Sequence, residues 1–153
     1  MKSDKLLTAG LCGVIAVILH EIFGRILIFF GIGKYSVFQL SSFVITIDRP
    51  SGTIGLVTAS LVAITIALLY YVALKITGFN YVMIKGIFAG LFGWVFCELI
   101  YTWLVEGPGL IPLRPMSDYY LQIGGAGVFG LILGFLFQKF IVAPEKSRNK
   151  GNI

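Results

Sequence analysis

Long apolar stretches alternate along the chain with short segments that carry most of its charges. One of these stretches contains no charged residue, and each of the other three contains one or two. Because an α-helix needs about 20 residues to cross a hydrocarbon core of about 30 Å, each stretch is long enough to span a membrane. The pattern predicts four membrane-spanning helices, at about residues 6–30, 54–74, 82–105 and 120–142.

Composition narrows the class of protein. Of the 153 residues, 58% are hydrophobic and only 12% are charged, whereas soluble domains contain about 25% charged residues. A chain of this length cannot bury so much apolar surface in one aqueous core. We therefore expect an all-α protein, a four-helix transmembrane bundle that forms a single domain over residues 1–143, followed by a basic tail, residues 144–153.

The basic residues predict the orientation of the bundle. Eight of the twelve fall on one predicted side of the membrane, and such residues favour the cytoplasm: Lys2, Lys5, Lys75, Lys85, Lys139, Lys146, Arg148 and Lys150. This split predicts that both termini lie in the cytoplasm. The first stretch resembles a signal peptide, but no small-residue cleavage site follows Leu19, so we expect an uncleaved span.

The first connection on the opposite side, about residues 36–47, is too apolar for a solvated loop and too short to span a membrane. Irregular backbone at membrane depth must be covered by protein. The segment is therefore predicted to be interfacial or to re-enter the membrane.

A weak internal similarity suggests a duplication. The sequence Ala-Gly-Leu-x-Gly occurs at residues 9–13 and again at residues 89–93. Helices one and three run in the same direction, so a two-plus-two parallel repeat about an axis normal to the membrane is one possible architecture.

Small residues at helical spacing predict close helix packing. In lipid, small side chains let helix backbones approach and gain van der Waals contact. Three sets have this spacing, namely Gly86 with Gly90, Gly130 with Gly134, and Ala59, Ala63 and Ala67. The sequence leaves open whether these faces meet within one chain or between two chains.

Four ionisable residues stand out inside the predicted spans: His20, Glu21, Arg25 and Glu98. Such groups are costly in lipid and usually point into the bundle. Glu21 and Arg25 have the spacing of a helix-face ion pair, and Glu98 is predicted at a similar depth, so we expect Arg25 to lie between Glu21 and Glu98. The cluster is either a structural network or a ligand or proton site.

No catalytic set, metal site or cofactor motif is predicted. A single histidine cannot form an H-E-x-x-H zinc site, and Cys12 and Cys97 lie separately in apolar runs without metal-ligand spacing. We expect a non-enzymatic structural or accessory subunit, with a small oligomeric transporter or channel that uses the polar cluster as the alternative, and a lipid-modifying enzyme as a third class. The expected partners are the lipid bilayer and a second copy or another membrane protein, without nucleic acid.

Two glycine-rich segments, one of which ends in tryptophan, resemble segments of a known family. The run from Lys85 to Trp94, KGIFAGLFGW, together with residues 129–134, FGLILG, resembles the YqhR-type four-span membrane proteins of Gram-positive bacteria. The resemblance implies the same topology and a bacterial plasma membrane, and it implies no activity.

Overall fold

The computed structural model describes residues 4–47, 49–109 and 113–144. These residues form five α-helices: α1 Lys5–Phe29, α2 Val37–Thr46, α3 Gly52–Thr77, α4 Val82–Tyr101 and α5 Met116–Phe137. Helices α4 and α5 each continue through a π-helical turn, Thr102–Glu106 and Gln138–Val142 respectively. Residues 145–153 of the predicted basic tail lie outside the described residues.

Four of the helices, α1, α3, α4 and α5, are long and apolar enough to cross a membrane. The predicted all-α fold with four such helices is confirmed. Three boundaries differ from the prediction by two residues or more, because α3 begins at Gly52 and ends at Thr77, and α5 begins at Met116. The side chain of Ser51 caps α3 by accepting the N–H of Ile54, and such polar capping residues extend a helix beyond its apolar part.

The small residues predicted to mediate packing do so within one chain. In α1, a side chain at Gly13 would collide with the Ala63 backbone and the Ala67 side chain of α3. In α4, side chains at Gly86 and Gly90 would collide with the backbone of α5 at Gly130 and at the neighbouring Ala126. Ala59 is likewise buried on α3, and Gly134 approaches the backbone of Met83. The bundle therefore consists of two close pairs, α1–α3 and α4–α5.

The two pairs are joined unequally. Helices α1 and α5 pack along much of their length, whereas α3 and α4 make few contacts. A parallel duplication with two-fold symmetry would make these two junctions equivalent. The packing departs from that symmetry, and α2 has no counterpart in the described residues between α4 and α5. The duplication itself stays a prediction.

The apolar connection at residues 36–47 forms the short helix α2. Its first turn is closed by a capping box, in which the Ser36 hydroxyl accepts the N–H of Gln39 and the Gln39 side chain accepts the N–H of Ser36. Helix α2 packs directly on α3 because Gly55 leaves room for the carbonyl of Phe38. Helix α2 therefore covers one end of the bundle, which we call the α2 end.

Candidate functional site

The four predicted intramembrane polar residues separate into different environments. Arg25 donates to Glu21 at 2.6 Å, as expected from their spacing. The predicted bridge from Arg25 to Glu98 is wrong, because Glu98 pairs with Arg114 and the Arg25 side chain is 62% exposed. Arg25 points away from the bundle because an arginine can extend its guanidinium along the helix toward polar surroundings.

Arg114 is the centre of a buried network that the sequence did not reveal. Its Nε donates to Glu106 at 2.6 Å and its Nη2 donates to Glu98. The guanidinium also lies over the rings of Tyr101 and Tyr119, at 4.4 and 4.6 Å from their centroids. Burial disfavours the charge, but the hydrogen bonds to both carboxylates outweigh it and raise the pKa of Arg114.

Glu21 has a second role besides its ion pair. Its other carboxylate oxygen, Oε2, accepts the backbone N–H of Phe38 at 3.0 Å. The first N–H groups of a helix have no partner within the helix, and a negative charge there is also favoured by the helix dipole. Glu21 therefore anchors the beginning of α2 to the side of α1.

His20 occupies a space that a glycine provides. A side chain at Gly125 of α5 would collide with the His20 ring, and this ring lies 6.2 Å from the ring of Phe129. His20 is buried, and its Nε2 atom has no hydrogen-bond partner among the described residues. The histidine thus does not join the Glu21–Arg25 pair.

A cavity of about 240 Å³ lies in the half of the bundle near α2, and all five helices contribute to its walls. Most of the wall is aliphatic or aromatic, including Val17, Leu40, Val62, Ile66, Ala126 and Phe129. Such a mostly apolar pocket with a few convergent polar groups is the usual form of a small-molecule site.

The cavity opens sideways, between α3 and α4. Val62 and Ile100 both line it and are each 37% exposed, and these two helices make few contacts with each other. At the α2 end, Leu40 and Val44 of α2 form its wall. If the bundle spans a membrane, the opening between α3 and α4 faces lipid.

Four buried polar atoms without a partner belong to residues that line this cavity. They are His20 Nε2, Trp94 Nε1, Tyr101 OH and Arg114 Nη1, each lacking a hydrogen bond to any described residue. Buried polar atoms in proteins are nearly always paired, so each unpaired one needs an explanation. None of the four atoms is reached from the cavity, because each is fully buried, and Nε2 of His20 lies against Gly125 of α5.

The charges beside the cavity do not favour an anion. Arg114 carries one positive charge, and its two partners, Glu98 and Glu106, carry two negative charges when ionised. The Glu21–Arg25 pair nearby is neutral in sum. The ionised network therefore has a net charge of about −1 on elementary charge counting.

Within the residues that the structure describes, no three His, Cys, Asp or Glu side chains are grouped to hold a metal ion. Both cysteines are free thiols; Cys97 lines the cavity, whereas Cys12 is buried in the core. The mostly apolar wall of the cavity can accept an apolar body.

Comparisons with protein-family models, with curated proteins and with solved structures give no match for this chain. The resemblance to YqhR-type proteins stays a prediction.

Proposed function

We propose that this chain is a non-enzymatic integral membrane protein that binds a membrane-dissolved amphiphile in the cavity between α3 and α4. One observation carries the proposal: a mostly apolar cavity of about 240 Å³ lies between the helices and opens between α3 and α4. The apolar part of the ligand lies against the aliphatic wall, and its polar end lies beside the ion pair of Glu98 and Arg114, two residues that line the cavity.

The lateral opening supports access from lipid. The small-residue faces of α1, α3, α4 and α5 are used in the α1–α3 and α4–α5 pairs, while α3 and α4 stay apart beside the cavity. An amphiphile dissolved in the bilayer can place its head through this gap while its tail remains among lipid chains.

The expected alternatives receive less support. A conduction pathway would have to continue toward the other end of the bundle, where Tyr70, Leu133 and Phe137 are buried in the core. An accessory subunit that docks by small residues would expose them, but here they face each other within the chain. Amphiphile binding is compatible with a non-enzymatic accessory role.

The proposed location follows from the basic residues. With the protein in the plasma membrane and both termini in the cytoplasm, the α2 end faces outward and the cavity lies in the outer leaflet. Single cysteines introduced at Lys34 and Gly78 test this orientation, since the first should react with a membrane-impermeant thiol reagent added outside and the second only after the membrane is opened.

Native mass spectrometry of the protein released from its own membrane tests ligand binding. The parent protein should retain a one-to-one adduct of an amphiphile. Val62→Phe should lose it, because the larger side chain fills the opening. Leu61→Phe is the matched control, since Leu61 is exposed and does not line the cavity. Absence of any adduct from the parent, or equal retention by both variants, would contradict the proposal.

A further inference from the structure

From the one charged side chain that is accessible in the cavity wall, we infer that the ligand carries an ammonium group on an apolar body. This inference rests on the proposed amphiphile binding and specifies the chemical class of the ligand head. A lipid with an ethanolamine head and a simple aliphatic amine both provide this chemistry.

Glu98 is the charged residue that a ligand in the cavity can contact. Among the described residues that line the cavity, the Asp, Glu, Lys and Arg side chains are those of Glu98 and Arg114. The Arg114 side chain is fully buried, whereas the Glu98 side chain is 18% exposed. Arg114 donates to Oε1 of Glu98, and no described residue donates to Oε2. The polar end of a ligand therefore meets a carboxylate oxygen and not the guanidinium.

The carboxylates outnumber the cation in the network beside the cavity. Arg114 is paired with both Glu98 and Glu106, so the ionised network keeps one negative charge that no cation compensates. An ion away from water is costly unless an opposite charge and hydrogen bonds compensate it. A cationic ligand head provides the missing positive charge, whereas an anionic head adds a second negative charge and an alcohol adds no charge.

An ammonium group also matches the chemistry of the wall around Glu98. It has only hydrogen-bond donors, and an ionised carboxylate oxygen only accepts. Hydrogen bonds between charged partners are about twice as strong as neutral ones. Trp94 lies one helical turn before Glu98 on α4 and lines the same cavity. The face of an indole ring attracts cations, so both residues favour the same kind of head.

The volume of the cavity limits how much of the ligand it holds. At about 30 Å³ for each water molecule in the liquid, 240 Å³ corresponds to about eight water molecules. An ammonium group and the first carbons of its chain fit this space, but a complete lipid does not. The remaining chain must leave through the opening next to Val62 and Ile100.

Calorimetric titration of the purified full chain in uncharged detergent micelles tests the ligand class with probes that share one chain length. Decylammonium carries a cationic head, decanol an uncharged hydroxyl and decanoate an anionic head, and the heat of titrating protein-free micelles is subtracted. We expect decylammonium to bind about tenfold more tightly than decanol or more, the usual effect of a hydrogen bond to a charged group. Decanoate should bind more weakly still, because its charge has the same sign as that of the network.

A fourth probe distinguishes the two sources of the ammonium group. Decanoyl lysophosphatidylethanolamine carries the ammonium group next to a phosphate. If it binds as tightly as decylammonium, a lipid head is the source; if only decylammonium binds, the source is a simple amine.

Glu98→Gln connects the preference for a cation to the named carboxylate. It removes one charge and leaves Arg114 paired with Glu106, so the ratio of decylammonium to decanol affinity should fall about tenfold. Glu21→Gln is the matched control, because Glu21 does not line the cavity. Any effect on α2 should weaken both probes alike and leave the ratio unchanged. If Glu98→Gln does not fold, Val62→Phe should abolish decylammonium binding while Leu61→Phe retains it.

Three results would overturn the inference: decanol or decanoate binding as tightly as decylammonium, no saturable binding of decylammonium, or an unchanged affinity ratio in Glu98→Gln. Native mass spectrometry of the protein from its own membrane separates these failures from failure of the proposed function. An adduct whose mass and fragments show no amine would contradict only the ligand class, whereas the absence of any adduct would contradict amphiphile binding itself.

Discussion

At the scale of single residues, polarity inside a span does not determine where a side chain points. Arg25 lies in α1, yet its side chain is 62% exposed, whereas the Arg114 side chain is fully buried although this residue precedes α5 in a loop. The difference arises from partners. Glu98 and Glu106 converge on Arg114 from α4 and the π-helical turn that follows it, while Arg25 has only Glu21.

Arg114→Leu should strongly destabilise the protein in detergent, because it leaves two buried carboxylates without their cation. Removing one partner of a buried ion pair costs about 3–5 kcal/mol. Thermal unfolding measures the loss, and Arg25→Leu should cost less, because the Arg25 side chain is largely exposed and the carboxylate of Glu21 still accepts the N–H of Phe38.

A combined Arg114→Leu, Glu98→Gln, Glu106→Gln variant should recover part of the stability, since no buried charge is then unpaired. Equal melting of Arg114→Leu and Arg25→Leu would contradict the buried network.

Gly125→Ala should destabilise the bundle by about 1–3 kcal/mol, the usual cost of overpacking a core. The added methyl group would collide with the His20 ring, so either the ring or α5 must move. The adjacent Gly124→Ala is the control, because a side chain there meets open space. Unfolding in detergent should therefore separate the two neighbouring substitutions, and identical stabilities would show that His20 does not pack against Gly125.

At the scale of elements, the stability of α2 depends more on its neighbours than that of the longer helices does. It has only ten residues, and isolated helices of this length are marginal in water. The N–H groups of its first turn are paired by the capping box of Ser36 and Gln39 and by the Glu21 carboxylate. Its packing on α3 requires the space that Gly55 leaves. Because α2 forms one wall of the cavity, these contacts also determine whether the cavity is closed toward the α2 end.

Glu21→Leu should loosen the beginning of α2, because the N–H of Phe38 loses its acceptor. An unpaired donor costs about 1–3 kcal/mol, so hydrogen exchange of the amides in the first turn should become about tenfold faster or more. Glu21→Gln retains an amide oxygen and should show a smaller change. Mass spectrometry of a peptide that covers residues 36–47 measures the rates; parent-like exchange in Glu21→Leu would rule out this capping role.

At the scale of the whole molecule, the sequence predicts the number of spans better than their arrangement. Hydrophobicity over about 20 residues determines membrane insertion, and the four long helices appear where it is highest. Gly86 and Gly90 also predict a close contact, since only small residues permit it.

The cavity and the Arg114 network could not be predicted in the same way. A helix in lipid is apolar on its buried and exposed sides alike, so periodicity does not show which face points inward. The gap between α3 and α4 depends on how the two close helix pairs join. The pairing of Glu98 with Arg114 depends on how the loop before α5 folds back over α4, and no spacing in the sequence indicates it.

We expect the cavity to communicate with lipid and to be separated from water. Trp94 lines the cavity, and the other tryptophan, Trp103, is exposed, so Trp103→Phe leaves one fluorescent indole inside the site. In vesicles or nanodiscs, a spin-labelled lipid should strongly quench Trp94 fluorescence, whereas iodide, which stays in water, should quench it little. Strong quenching by iodide with weak quenching by the labelled lipid would contradict the account and would indicate a water-filled pathway.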